Sequence, residues 1–179
     1  MQRWIALFRG INVGGHNILP MAALTSDLES LKLQRVRTYI QSGNVVFDST
    51  SKSIGTLATR ISRRIEEQHG FRPRVLFLSE KELQTAVSDN PFPEAVYIPK
   101  TLHFFFLNTT PVAPNIKALD DAKGSTENYA ISKRVFYLHA PDGIGRSKLA
   151  MNAEKHLGVV TTARNYRTVQ KLLAMVSED

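Results

Sequence analysis

The chain has 179 residues and no cysteine, and its 23 lysine and arginine residues against 16 acidic ones give a formal net charge of +7. The absence of cysteine excludes disulfides, thiolate metal sites and cysteine nucleophiles. No apolar run approaches the roughly 20 residues that cross a bilayer, and the N-terminal residues lack the pattern of a signal peptide. We therefore expect a cytoplasmic protein with no membrane partner, whose charge favours anionic ligands.

Residues 1–90 have the pattern strand, helix, strand, strand, helix, strand. Apolar and β-branched runs predict the strands, at Trp4 to Phe8, Val36 to Ile40, Val45 to Phe47 and Val75 to Leu78. Leu24, Leu28 and Leu31 predict the buried stripe of the first helix, and the run from Ile54 to Ile65 predicts that of the second. This order is typical of the ferredoxin-like split βαβ motif.

A stretch with three prolines, residues 91–100, interrupts the periodicity and is interpreted as a linker. The same order of elements then begins again at residue 101, with a hairpin around Ser132 to Arg134 and a helix that Gly158 ends. A last helix follows Asn165, its predicted cap. The sequence thus predicts an α+β fold of two ferredoxin-like (βαββαβ) halves, 1–90 and 101–179, that pack together and have mainly antiparallel sheets.

The stretch from Arg9 to Pro20, R-G-I-N-V-G-G-H-N-I-L-P, concentrates three glycines, two asparagines, an arginine and a histidine between a strand and a helix. Such a turn can direct several backbone N–H groups at one anion. Gly10 and Gly15 have the spacing of a phosphate-binding P-loop, but His16 and Asn17 replace its lysine and hydroxyl residue. Nucleotide hydrolysis is therefore not expected, whereas anion binding by the backbone stays open beside a purely structural turn.

Three further polar segments extend this pattern. Gln41 and Asn44 flank the predicted hairpin turn at Gly43 and carry amides beyond what the turn needs. Arg146 and Lys148 stand at a helix start, where cations are disfavoured unless an anion offsets them. The next helix start repeats this composition, with Arg164 and Asn165.

The sequence gives little support for a metal site or for a catalytic nucleophile. The five histidines form no paired ligand motif, so we expect no metal and no cofactor. No serine has the surroundings of a nucleophile elbow, so the sequence assigns no catalytic residue. Residues 146–171 hold six lysine and arginine residues against one acid. The alternative function is therefore a sequence-tolerant nucleic-acid-binding module, although the third strand lacks the aromatic pattern of an RNA-binding sheet.

Two of these motifs, R-G-I-N-V-G-G at residues 9–15 and Y-I-Q-S-G-N-V-V-F at residues 39–47, resemble the bacterial domain-of-unknown-function 1697 family. Segments 90–92, 141–149 and 162–166 also resemble its motifs, so the resemblance covers essentially the whole chain. It implies a small cytosolic bacterial protein with an α+β fold and no established activity. It supplies no catalytic residue.

We therefore expect a small phosphate- or carboxylate-bearing ligand in a crevice formed by loops of both halves. The predicted ligand-binding residues are Arg9, Asn12, Gly14, Gly15, Gln41, Asn44, Ser147, Lys148, Arg164 and Asn165.

Overall fold

The computed structural model describes residues 1–51 and 53–178, which form two compact units. Unit 1 contains residues 1–84 and those from Lys171 onward, and unit 2 contains residues 85–170. The described residues form two four-stranded antiparallel sheets and six α-helices, which confirms the predicted α+β fold class. None of these helices is long and apolar enough to cross a membrane.

Unit 1 has the strand order β2-β3-β1-β4, with each neighbouring pair antiparallel. The order βαββαβ matches the sequence prediction. Its strands are β1 (Gln2–Arg9), β2 (Gln34–Tyr39), β3 (Asn44–Ser49) and β4 (Arg74–Ser79), and its helices are α1 (Met21–Ser30) and α2 (Ile54–His69).

The main core of unit 1 lies between its sheet and these two helices. Because side chains alternate along a strand, Ala6 and Phe8 pack against Leu24 of α1 and Ile61 of α2. The opposite face of the sheet, which includes Ile5, is also buried. A continuous apolar run is what a strand covered on both faces requires.

Unit 2 has the strand order β6-β7-β5-β8, again wholly antiparallel. A 3₁₀ helix at Pro93–Tyr97 lies within the predicted linker and buries Ala95. The strands of unit 2 are β5 (Leu102–Leu107), β6 (Asn128–Ser132), β7 (Val135–His139) and β8 (Thr161–Asn165), and its helices are α4 (Ile116–Ala122) and α5 (Lys148–Leu157).

Aromatic rings fill both faces of the second sheet. Phe105 packs with Leu119 of α4 and Leu149 of α5. On the other face the rings of Phe104 and Tyr137 lie 4.8 Å apart, edge to face. The Tyr137 hydroxyl donates a 2.8 Å hydrogen bond to the backbone carbonyl of Ala86, so this buried polar group has a partner.

Two helices contribute residues to both units, α3 (Glu80–Ser88) and α6 (Tyr166–Ser177). Both helices begin with a side-chain cap, and that of α6 is the predicted Asn165. The Ser79 backbone N–H donates to Glu82 Oε2 at 2.8 Å, and the Glu82 N–H donates to Ser79 Oγ at 3.2 Å, as in a capping box. The Thr168 N–H donates to Asn165 Oδ1 at 2.9 Å.

The end of α6 lies in unit 1, although the sequence analysis assigned all of residues 101–179 to the second half. Arg3 donates to the Val176 carbonyl at 3.0 Å, and Arg37 donates to the Met175 carbonyl. Both cations therefore satisfy carbonyls that the last turn of a helix leaves without partners. The buried carboxylate of Asp48 orients Arg3, at 3.1 Å, and also pairs with Arg35.

Asp48→Asn should destabilise unit 1 by about 2 kcal/mol, since it removes charged hydrogen bonds to a buried carboxylate. Burial raises the pKa of Asp48, but the hydrogen bonds and charges of Arg3 and Arg35 outweigh burial, so its pKa lies below the usual range. The unfolded chain takes up this proton near pH 3.9. The stabilisation is therefore complete above that pH and is lost as the pH falls through the folded pKa.

Urea unfolding measured between pH 7 and pH 2 checks this prediction. Below about pH 4 the native chain should lose stability more steeply than the Asp48→Asn chain. Asp121→Asn is the matched control because its partner Lys117 and Asp121 itself are largely exposed, at 85% and 65% of their side-chain areas. Such a surface pair contributes little. If the Asp48→Asn and native chains lost stability in parallel as the pH falls, Asp48 would not be the source of this pH dependence.

Candidate functional sites

The glycine-rich loop after β1 folds back on itself. The His16 N–H donates to the Val13 carbonyl at 3.0 Å, which makes a tight turn around Gly14 and Gly15. These glycines have φ values of 58° and 78°, which residues with a Cβ rarely adopt. A Cβ on Gly15 would meet no atom within 4 Å. Both glycines are therefore required by backbone conformation rather than by close packing.

The side chain of Asn12 ties this loop to its own far end and to the β2–β3 turn. Its Nδ2 donates to the Leu19 carbonyl at 2.9 Å and to the Gln41 carbonyl at 2.8 Å. Its Oδ1 accepts from the Leu19 N–H at 2.7 Å. Asn17 similarly donates to the Gly10 carbonyl at 2.8 Å. The two asparagine amides of the loop are thus used within the fold.

The other predicted residues of unit 1 lie at the same end of the sheet. Arg9 is half-buried at the end of β1, opposite Arg74 of β4. Gln41 is exposed in the turn. Asn44 is fully buried, and its amide donates to the Tyr39 carbonyl at 3.1 Å and to Ser42 Oγ at 2.9 Å. Unit 1 therefore brings its predicted residues to one end of the sheet, with two of the amides engaged internally.

Two residues of the β2–β3 turn have a positive φ, Gly43 with 68° and Ile40 with 48°. Asn44 belongs to β3. A Cβ on Gly43 would lie 2.5 Å from Phe8 Cβ, so only glycine fits. For a β-branched residue such as Ile40 a positive φ is a real outlier. Ile40 is nevertheless exposed, so no core packing explains it.

Unit 2 contains a cavity of about 560 Å³ at the start of α5. Its walls are the segment after α4 and the segment between β7 and α5. They include Ser147 and Lys148 of the predicted site. The lining residues are Asp121, Ala122, Lys123, Gly124, Ser125, Thr126, Glu127, Ala140, Asp142, Gly143, Arg146, Ser147 and Lys148.

Each of the three lining acids has a partner. Asp121 accepts from Lys117 Nζ at 2.7 Å, and Asp142 accepts from Thr126 Oγ1 at 2.6 Å. Glu127 is buried and accepts from the Gly124 N–H at 2.8 Å. These bonds use part of the accepting capacity of each carboxylate and hold the rim of the cavity in place.

The three lining cations differ from the acids in this respect. Among the residues that the structure describes, the side chains of Lys123, Arg146 and Lys148 make no hydrogen bond or ion pair, and all three are exposed. Ser147 Oγ caps the helix by accepting from the Ala150 N–H at 2.9 Å. The cavity thus combines three unpaired cations with the positive end of a capped helix.

Arg164 and Asn165 do not line this cavity. Arg164 is 9% exposed, and its Nη1 donates to Thr162 Oγ1 at 3.0 Å and to the Ala163 carbonyl at 2.8 Å. Burial lowers the pKa of Arg164 to about 10. Asn165 uses its Oδ1 to cap α6. Within unit 2, the structure therefore brings Ser147 and Lys148 together at the cavity, but not Arg164 or Asn165.

No cluster of three metal-ligating side chains occurs among residues 1–51 and 53–178. The buried histidine is His103, whose Nε2 has no hydrogen-bond partner within this described part. Burial lowers its pKa, against the opposing effect of a hydrogen bond to the backbone of Lys100. His103 is therefore a neutral buried side chain at pH 7.

Sequence reasoning missed Lys123, Glu127 and Asp142 as cavity residues. They come from two segments that the pairing of β6 with β7 brings together, where Asn128 lies opposite His139. The missed signal was the local pattern G-S-T-E at residues 124–127, which is a turn rich in hydrogen-bonding groups. Composition did not distinguish it from an ordinary solvent-exposed turn.

The order of elements, the antiparallel sheets and the polar loops define an α+β protein of two similarly connected units. The chain belongs to the family described as "Protein of unknown function (DUF1697)", which matches residues 1–137. The resemblance noted from the motifs is thereby confirmed at the level of the family.

The fold is also that of a solved structure, described as the conserved bacterial protein SP0830 from Streptococcus pneumoniae. The two chains share 23% sequence identity with a TM-score of 0.77, and the match covers 99% of each. At this identity the likeness establishes the fold alone. A comparison with curated proteins gave no match.

The β2–β3 turn supports a pair of opposite predictions. Ile40→Gly should leave the free energy of unfolding unchanged or raise it by up to about 1 kcal/mol, since it removes a left-handed β-branched residue. Gly43→Ala should lower it by at least about 2 kcal/mol, because the new Cβ adds overpacking to the same backbone strain. Urea unfolding of both variants measures the difference. A loss of stability in the Ile40→Gly variant would contradict the inference that the backbone of Ile40 is strained.

Proposed function

We propose that this member of a family of unknown function binds a small anionic ligand in the unit 2 cavity at the start of α5. The observation that carries the proposal is the contrast within the cavity wall: its acids have partners, whereas Lys123, Arg146 and Lys148 have none among the described residues. An anionic group at the helix start would satisfy the cations and the N–H groups that the first turn leaves free.

The size and lining of the cavity support a polar metabolite. A volume of about 560 Å³ is within the usual range for small-molecule sites. The wall has only Ala122 and Ala140 as apolar side chains, so a largely hydrophobic ligand would desolvate polar groups without compensation. The carboxylates of Asp142 and Glu127 would accept hydrogen bonds from hydroxyl or amine groups of the same ligand. The preferred class is thus a phosphate- or carboxylate-bearing metabolite with several hydrogen-bond donors.

The nucleic-acid alternative has weaker support. Of the six cations in residues 146–171, Arg164 is buried, and the ring of Tyr166 is only 8% exposed. The segment therefore presents no exposed ring of the kind on which bases stack in single-strand-binding proteins. Its remaining cations support only electrostatic contact with phosphates, and such binding falls steeply with salt.

Thermal unfolding in the presence of inorganic phosphate and of paired phosphorylated and dephosphorylated metabolites tests the proposal. At 100 times its dissociation constant, a ligand should stabilise the chain by about 2.7 kcal/mol. For a phosphate-bearing ligand, only the phosphorylated member of a pair should do so. Arg146→Gln and Lys148→Gln should each weaken binding by roughly 10- to 150-fold, since each removes a charged contact worth about 1.5–3 kcal/mol.

Lys155→Gln is the matched control, because Lys155 is an exposed cation in the last turn of the same helix. It should leave binding unchanged. Equal weakening in all three variants would indicate a general charge effect and contradict the site. Arg9→Gln in the same titration tests the separate prediction, made from the sequence, that the loop after β1 contributes to ligand binding. A short labelled RNA whose binding falls steeply with salt would favour the alternative function.

A further inference from the structure

Three aliphatic side chains are exposed at one end of the unit 1 sheet. Val13 is 64% exposed, Ile18 is 61% exposed and Ile40 is 51% exposed. Single exposed aliphatic residues are ordinary on protein surfaces. These three, however, come from segments that hydrogen bonds hold together.

The side chain of Asn12 links the three positions. It bonds to the backbone of Leu19 and of Gln41. Val13 follows Asn12 directly, Ile18 precedes Leu19 and Ile40 precedes Gln41. The bond from the Phe8 N–H to the Gly43 carbonyl, at 2.8 Å, fixes the turn to β1 as well. The backbone positions of Val13, Ile18 and Ile40 are thus held close together, and we call these three exposed side chains the loop patch.

The backbone conformation of Ile40 is an independent indication that this surface binds a partner. Its φ of 48° is strained for a β-branched residue, and glycine or asparagine would adopt it more readily. Its side chain gains no core packing in return. Backbone strain that no packing within the fold compensates often occurs where a side chain contacts a ligand or partner.

The loop segments beside the loop patch carry only positive charges, and one of these, Arg72, pairs with Glu66 of α2 at 3.5 Å. The three segments at this end of the sheet are residues 9–20, 39–44 and 70–74. They contain Arg9, His16, Arg72 and Arg74 but no aspartate, glutamate or lysine. Arg74 is exposed and pairs in register with Arg9. An apolar patch beside arginines complements a surface that carries both apolar and acidic groups.

We propose that the loop patch, together with Arg74, binds an acidic segment of another protein. That segment would place apolar side chains on Val13, Ile18 and Ile40 and a carboxylate on the Arg74 guanidinium. Arginine pairs with carboxylates in a two-bond geometry and is enriched at protein interfaces, where lysine is depleted.

Other occupants fit the patch less well. The exposed side chains of the three segments include no tryptophan, tyrosine or phenylalanine ring, which both base stacking and the membrane interface favour, and His16 is their one exposed aromatic ring. A symmetric contact with a second copy of this chain would bring Arg74 and its neighbours against their own counterparts. Like charges placed together in an interface oppose binding.

Selection of random 12-residue peptides on the immobilised full chain, followed by fluorescence anisotropy with the enriched peptides, tests this proposal. Enriched peptides should combine acidic and apolar residues. Ile18→Ser and Arg74→Glu should each weaken their binding by at least about 10-fold, the order expected for an interface residue of central importance. Val112→Ser is the matched control, because Val112 is 98% exposed in the other unit. It should bind like the native chain.

Ile40→Gly separates binding from folding. It should weaken peptide binding while the unfolding midpoint stays the same or rises, because the glycine relieves strain as it removes the aliphatic contact. Failure to enrich any peptide, enrichment of peptides without acidic residues, or equal binding to the Ile18→Ser chain would each overturn the proposal.

Two further measurements would assign the patch to another occupant. Sedimentation with phosphatidylglycerol vesicles that the Ile18→Ser change abolishes would make the occupant a membrane surface. Self-association in analytical ultracentrifugation that the same change abolishes would make it a second copy. Either result overturns the proposal, and neither bears on anion binding in the unit 2 cavity, which uses different residues.

Discussion

The hydrogen bonds of the Asn12 side chain are the constraint on which the most polar loop of unit 1 depends. They join Asn12 to Leu19 and to Gln41, so the loop after β1 and the β2–β3 turn form one rigid surface. The composition of this loop suggests that its amides bind a ligand, but the structure shows the opposite arrangement. Amides that look available in the sequence are directed at backbone groups, and the neighbouring aliphatic side chains are exposed. When a buried or half-buried side-chain amide hydrogen-bonds to nearby backbone groups, it stabilises the loop conformation, and those donors and acceptors cannot bind a ligand.

The two units share their order of elements and strands, yet their polar segments differ in position. In one unit they lie where the first strand ends, and in the other where the first strand begins. In unit 1 the glycine-rich loop is at the end where β1 finishes, beside the β2–β3 turn. In unit 2 the cavity is at the end where β5 begins, away from the β6–β7 turn. The segment after β5, residues 108–115, has no glycine at all. The common topology therefore provides a scaffold, and each unit carries its own chemistry on different loops.

Most of the fold could be predicted because its signals are local. Alternation and helical periodicity predicted the strands and helices, and a short-range cap, Asn165, predicted the start of the last helix. The failures have long-range causes. Arg37 reaches the Met175 carbonyl across 138 positions of sequence, and no local pattern indicates that the last helix ends in unit 1. Two residues that line the unit 2 cavity, Ser147 and Lys148, are among the predicted ligand-binding residues, and the segment with Lys123 and Glu127 is brought there by strand pairing.

Net charge is the sequence property that needs most reinterpretation. The value of +7 counts every cation equally, but several have structural roles: Arg3 and Arg37 bind helix carbonyls, and Arg164 is buried and donates to its own strand. Such cations have fewer donors left for the recognition of a ligand, because some of their donors bond within the fold. The cations able to recognise an anion are those with donors to spare, as at the start of α5. Attraction to anions therefore has to be argued from the bonding of each cation, and the overall excess of positive charge contributes mainly to solubility and the rate of encounter.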